Sequence, residues 1–211
     1  MTRRGGNNRL AIALGVALAA SAACTSGPPP PDRTGQLADI EETRAVIERF
    51  MRESDKSPIP ESKRSTLLPL RYYPPDPRFS VPAALRLADP ADRPVAEMPT
   101  STGTVMRYQR VGILEFTFEG QPLSLAAFVP EGTRSISELF VPFADETTGK
   151  DTYSAGRYLN LTPTSSGTYT IDFNLAYNPY CAYNKEYECP YPPPSNRLKV
   201  AIHAGEMAPA E

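Results

Sequence analysis

From Gln36 to Glu53, apolar residues return at helical spacing, with Leu37, Ile40, Ile47, Phe50 and Met51 on one face. Asp39, Glu41 and Glu42 gather near the start and Arg44, Arg49 and Arg52 near the end, an order that complements a helix dipole. The pattern predicts one amphipathic helix, stopped by Ser54 to Pro60 and packed by its stripe onto the domain that follows. The 3.6-residue period then disappears. Prolines at positions 58, 60, 69, 74, 75, 77, 82, 90, 94 and 99 exclude a long helix and leave room for short strands such as Leu70 to Tyr73 and Ala84 to Leu87.

Beyond residue 104 the period becomes two. Leu114, Phe116 and Phe118 alternate with Glu115, Thr117 and Glu119. Gly120, Gln121 and Pro122 then read as a turn, and Leu123 to Val129 as the returning strand of a hairpin. Gly156 to Leu161, Thr168 to Asn174 and Leu198 to Ala204 supply further strands, with Pro163 to Gly167 turning between the first two. Short strands, many turns and little helix predict a mainly β fold: an antiparallel β-sandwich or partly open barrel preceded by one amphipathic N-terminal helix.

The start of the chain changes the picture by pointing to a compartment. Arg3, Arg4 and Arg9 precede the apolar run LAIALGVALAASAA, which has the length of a signal-peptide core and is too short for a permanent span. Ser21, Ala22, Ala23 and Cys24 resemble a bacterial lipobox, although Ser21 stands where Leu is usual. Residues 1–23 are therefore expected to be a signal peptide, with Cys24 lipidated and holding the protein to a membrane. The alternative is an ordinary cleaved signal with an incidental cysteine. Four consecutive prolines make 24–35 a semi-rigid, lipid-anchored tether. Residues 36–206 are read as a single β-rich domain and 207–211 as a tail.

Removing residues 1–23 takes three arginines and no acid, so the formal charge moves from −2 to −5. An anionic chain lacks the basic face that nucleic acid demands, and its attachment to a membrane rests on lipid.

The runs FVPFADETTGKDTYSAGRYLNL, TIDFNLAYNPYCAY and CPYPPPSNRLKVAIHAGE, with SPIP at 57–60, together resemble the uncharacterised bacterial family called domain of unknown function 1684, from about Val46 to Glu206. The resemblance implies export or lipid anchoring for many members and brings no established activity.

Polar residues between the strands supply the candidate chemistry. In ADETTGKDTYSAGRY, Arg157 offers a planar fork suited to a carboxylate or phosphate. The competing reading pairs it with Asp145 or Asp172 inside the fold, with Asp145 and Thr147 capping a turn. In TIDFNLAYN, alternation sets Tyr169, Ile171 and Phe173 on one face and Asp172 and Asn174 on the other. Asp145, Thr147, Tyr153, Arg157, Asp172 and Asn174 are thus the candidate ligand-binding set, for a small anionic or hydroxylated molecule.

Catalytic templates find little support. GKD at 149–151 lacks the rest of a phosphate loop. The one histidine, His203, sits in the alternating segment LKVAIHA and reads as a strand residue. Paired carboxylates drawn from Asp145, Asp172 and Glu206 leave a histidine-independent hydrolase or other enzyme as the alternative to a binding or envelope-structural module. The sequence calls for no cofactor and no metal.

Residues 178–196, NPYCAYNKEYECPYPPPSN, hold Cys181 and Cys189. For a zinc site two ligands are missing, and for a redox pair the spacing is long. In an exported chain a disulfide is expected, worth about 2 to 3 kcal/mol, with two free buried thiols as the alternative. Tyr177, Tyr180, Tyr183, Tyr187 and Tyr191 are read as packing this loop onto the sheet, or else as an aromatic platform for sugar or peptide.

Overall fold

A computed structural model describes residues 1–2, 33–89, 91 and 93–210. The signal peptide, the Cys24 lipid site and most of the proline-rich tether lie outside the described residues. The fold is that of the unit Asp32–Glu211.

Helix α1 spans Arg33–Glu53. It begins three residues before the expected start, so residues 33–35 belong to the helix and not to the tether. Asp39, Glu41 and Glu42 accordingly fall beyond its first turn, which holds no acid. Ile40 and Met51 are buried and Ile47 half-buried, whereas Val46 and Phe50 are exposed. Two polar clamps hold the helix down. Arg44 lies over the Tyr72 ring at 4.4 Å and donates to the carbonyls of Tyr73 (2.9 Å) and Asn174 (3.0 Å). Glu48 accepts from the Leu70 amide at 2.9 Å.

Among the described residues seven strands follow: β1 (Ser80–Leu87), β2 (Val95–Pro99), β3 (Val105–Phe118), β4 (Gln121–Pro130), β5 (Leu139–Phe143), β6 (Arg157–Leu161) and β7 (Thr168–Asp172). They form one antiparallel sheet in the order β6-β5-β4-β3-β1-β7, with β2 also paired to β3. The sheet is curled into a half-barrel, and its terminal strands β6 and β7 approach each other. It is mainly β, as the alternating pattern predicts.

The β3–β4 hairpin shows how sequence sets register. Phe118 pairs with Gln121, leaving Glu119 and Gly120 as the whole turn, with φ of 49° and 79°. A two-residue turn with both φ positive matches the twist of the strands it joins. Gln121 and Pro122 therefore open β4 and are not turn residues.

Leu114, Phe116, Leu125, Val141, Phe143, Leu159, Ile171 and Phe173 meet inside the curl as the main core. Strand β4 is buried on both sides at its centre, because Ala126 and Phe128 pack outward against Met98. A third cluster of Met51, Ile59, Leu68, Leu70 and Tyr183 lies under α1.

Two expected strands are absent. Leu70 to Tyr73 makes only an isolated bridge, Tyr72 to Glu206. Leu198 to Ala204 runs as irregular chain although Val200 and Ile202 pack on the core. The carbonyls of Ile202 and Ala204 turn to a buried arginine, Arg157, and so are unavailable to a strand ladder.

Candidate functional site

The expected ligand-binding residues are divided among three places. Asp145 and Arg157 are interior. Arg157 lies at the first position of β6 with no exposure, and its Nη2 donates to Asp145 Oδ2 at 2.7 Å and to the Ile202 carbonyl at 2.9 Å. Nη1 donates to the carbonyls of Ala204 and Glu206, and the guanidinium stands 5.2 Å from the centre of the Phe143 ring. Asp145 Oδ1 accepts from the amide (2.6 Å) and hydroxyl (2.5 Å) of Thr147. The fork is thus spent on the fold, which is the pairing weighed against a ligand role from sequence.

Asp172 and Asn174 form a second group. Both the amide nitrogen and the side chain of Asn174 donate to Asp172 Oδ1, and the same side chain exchanges hydrogen bonds with the backbone of Asp76. Asn174 is buried and not turned to a surface, because β7 ends at Asp172 and a 3-10 turn, Phe173–Leu175, breaks the alternation. These two residues fasten the 76 loop.

Tyr153 lies elsewhere, with its hydroxyl 3.5 Å from the Cys181 carbonyl. Cys181 and Cys189 are both free thiols and not a disulfide. Their loop is closed by hydrogen bonds: the Cys181 amide donates to Cys189 Sγ at 3.1 Å, the Cys189 amide donates to Ser101 Oγ at 3.1 Å, and the Cys189 carbonyl accepts from the Ser101 amide at 3.0 Å. Donation from the Cys189 thiol lowers Cys181 to about 6, and the same donation pushes Cys189 up.

A large concavity lies at a different place. A cavity of about 640 Å³ opens between α1 and the outer side of the sheet. Val46, Ile47, Phe50 and Met51 form its helical wall. Tyr108 of β3, Phe140 of β5 and Tyr158 of β6 form the sheet wall, and Tyr177, Tyr180 and Tyr187 close it from the loop side. The rings run on from one another: Tyr108 stacks on Phe140 at 5.2 Å, Phe140 meets Tyr158 edge-on at 4.8 Å, and Tyr158 meets Tyr177 at 5.8 Å. Tyr180 and Tyr187 make a separate edge-to-face pair at 5.3 Å and are exposed, like Val46 and Phe50.

Hydrogen bonds fix the two inner phenols. Tyr158 donates to the Pro190 carbonyl at 2.6 Å and Tyr177 to Asn160 Oδ1 at 3.0 Å. Burial pushes both phenols up, so they stay neutral. The carboxyl groups bordering the cavity are Glu188, exposed, and Glu206, buried. Glu206 accepts from the Tyr183 hydroxyl and, at 2.8 Å, from the Asn178 amide. Burial nevertheless raises its carboxyl to about 8, because desolvation outweighs those bonds and the Arg157 charge.

Residues 66–207 match the profile of a family described as "Protein of unknown function (DUF1684)". The chain belongs to that family. The match contains the sheet and loop walls of the cavity, whereas the helical wall precedes it. The chain is also similar to the solution NMR structure of an uncharacterised protein of Haloarcula marismortui, 38% identical, covering 83% of this chain and 96% of that one with a TM-score of 0.66. No curated protein matches.

Sequence reasoning reached the loop tyrosines of the cavity through the platform alternative, and missed Tyr108, Phe140 and Tyr158. Each of these sits in a different strand, and the order of strands in the sheet gathers them. The helical period places Phe50 on the core stripe, whereas in the fold it is exposed at the cavity.

Proposed function

We propose that this DUF1684 protein is an exported, lipid-anchored binding module whose ligand site is the aromatic cavity between α1 and the sheet. The observation that carries the reading is the cavity itself. About 640 Å³ lies within the size range of small-molecule sites, and the walls combine many rings with few polar groups, as such sites do. The apolar run before Cys24 and the small residues beside it support export and lipid attachment. A small ligand held off the membrane by a proline-rich tether fits that arrangement.

Ligand-observed NMR with a panel of aromatic, aliphatic and sugar probes tests the reading. Binding is expected with the native protein and should be lost in Ile47→Trp, which fills the cavity from the helix side. Retention of binding by a folded Ile47→Trp protein, or no binding to the native one, sinks it.

One observation favours a second reading, that of an enzyme without a catalytic histidine. Glu206 borders the same cavity as a carboxyl group held near 8, in the range where a general acid works at neutral pH. Under that reading Glu206→Gln abolishes turnover of a cavity ligand while leaving its binding in place.

A further inference from the structure

The cavity's lining has a charge bias that its size alone does not require. Among the described residues that line it there is no lysine, arginine or histidine, while the exposed carboxylate of Glu188 is present; Glu206, buried and raised to about 8, is mostly neutral at pH 7 and adds little charge. A second cavity of about 420 Å³ adjoins it, sharing Tyr108, Phe140, Asn160 and Tyr177. That lining adds Glu138 and again contains no cationic side chain. Glu138 is exposed and close enough for its charge to act on the Tyr177 phenol.

Glu188 is tied to its surroundings through one oxygen, which accepts long bonds of 3.3 and 3.4 Å from the hydroxyls of Thr100 and Thr102. Neutral aromatic rings present a negative face, and a desolvated cation over such a face is held by the ring quadrupole as well as by any nearby carboxylate. An anion placed here meets ring faces and the Glu188 carboxylate, with no cationic side chain among the described lining residues to hold it.

Resting on the reading of this cavity as a ligand site, we propose that its ligand is an organic cation, an amine or quaternary ammonium group carried on an apolar body. The rings of Tyr158, Tyr177, Tyr180 and Tyr187 hold the head group, Glu188 supplies the balancing charge at the rim, and the aliphatic wall of Ile47 and Met51 takes the body. Sugars are disfavoured because their hydroxyls need a dense set of polar partners, and Asn160 is the sole amide side chain lining the cavity among the described residues.

The experiment is a titration of the native protein with acetylcholine and with its carbon isostere 3,3-dimethylbutyl acetate, followed by ¹H–¹³C NMR of the tyrosine rings. The ammonium compound is expected to bind at least about tenfold more tightly than the isostere, with the preference reduced several-fold in Glu188→Gln. Equal or tighter binding of the isostere overturns the cation assignment while leaving the cavity a ligand site. No response to either compound also overturns it. A positive response in the broader probe panel would then show that the cavity reading survives without it.

Discussion

Nη2 of Arg157 lies 2.7 Å from Oδ2 of Asp145 in a place where neither side chain has any exposure. The pair is a brace. From the start of β6, Arg157 reaches Asp145 just beyond β5 and three carbonyls of the irregular segment ending at Glu206, so one side chain ties the sheet to the C-terminal chain. Removing one partner leaves the other charge buried and alone, which costs about 3 to 5 kcal/mol. Arg157→Ala is therefore expected to lose that much in urea denaturation, and Asp145→Ala a comparable amount. A loss below about 1 kcal/mol in Arg157→Ala would show that the interior tolerates the gap and that the brace carries little.

Glu206 makes folding depend on pH. Its carboxyl rises from an ordinary 4.5 to about 8 because it is fully buried, with Arg157 opposing the rise and Glu48 adding to it. The folded chain thus holds this proton more tightly than the unfolded chain. Stability from this group is complete below about 4.5 and drains away as pH climbs to about 8, at roughly 1.4 kcal/mol per pH unit inside that window. The midpoint of thermal unfolding should fall across that window and level off above it. Glu206→Gln should flatten the dependence; an unchanged slope in that variant would place the titrating group elsewhere.

Gly156 precedes the brace and is confined by Phe143 and Pro192. Its φ is 86°, and a Cβ there would stand 2.6 Å from the Phe143 carbonyl oxygen and 2.7 Å from Pro192 Cγ. Gly167 has a similar φ of 71° with nothing within 4 Å. Alanine at 167 pays only the left-handed backbone penalty of about 1 kcal/mol, whereas alanine at 156 must also displace a strand carbonyl. Equilibrium denaturation should find Gly156→Ala the worse by at least about 1 kcal/mol. Equal losses would mean the contact relaxes freely.

The parts of this architecture legible in the sequence are those where one physical signal acts alone. Leu114, Phe116 and Phe118 alternate because one face of β3 is core, and Tyr169, Ile171 and Phe173 do the same for β7 and the turn after it. The segment from Leu198 to Ala204 alternates too, since Val200 and Ile202 reach the core, but its carbonyls answer to Arg157, and a side-chain partner leaves no period in the sequence. Asp145 and Arg157 were legible as a pair of residue types and illegible as ligand or brace, because that choice depends on burial. The cavity needed the sheet order: Tyr108, Phe140 and Tyr158 belong to three strands, and the order β6-β5-β4-β3 is what brings them to one wall.

Asn196 carries the last case, a side chain that stands in for a strand. Pairing between β4 and β5 is limited to Phe128 with Phe140, so the Ala126 backbone has no strand partner on that side. Asn196, with no exposure, fills the place: its Oδ1 accepts from the Ala126 amide at 2.8 Å, and its Nδ2 donates to the carbonyls of Ala126 (2.9 Å) and Pro142 (2.8 Å). Substitution by alanine leaves one buried donor and two buried acceptors without these partners, each worth about 1 to 3 kcal/mol when unsatisfied. Substitution by aspartate keeps the acceptor and loses the donor, and adds a buried charge. Asn196→Ala should therefore lose at least about 3 kcal/mol in denaturant and speed amide exchange at Ala126. Asn196→Asp should be the less stable of the two at neutral pH and recover part of the loss on acidification, when its carboxyl gains a proton to donate. If the alanine variant unfolds at the native midpoint with Ala126 still protected, water or a shifted β5 has taken over the bonds, and the asparagine is not what joins β4 to β5.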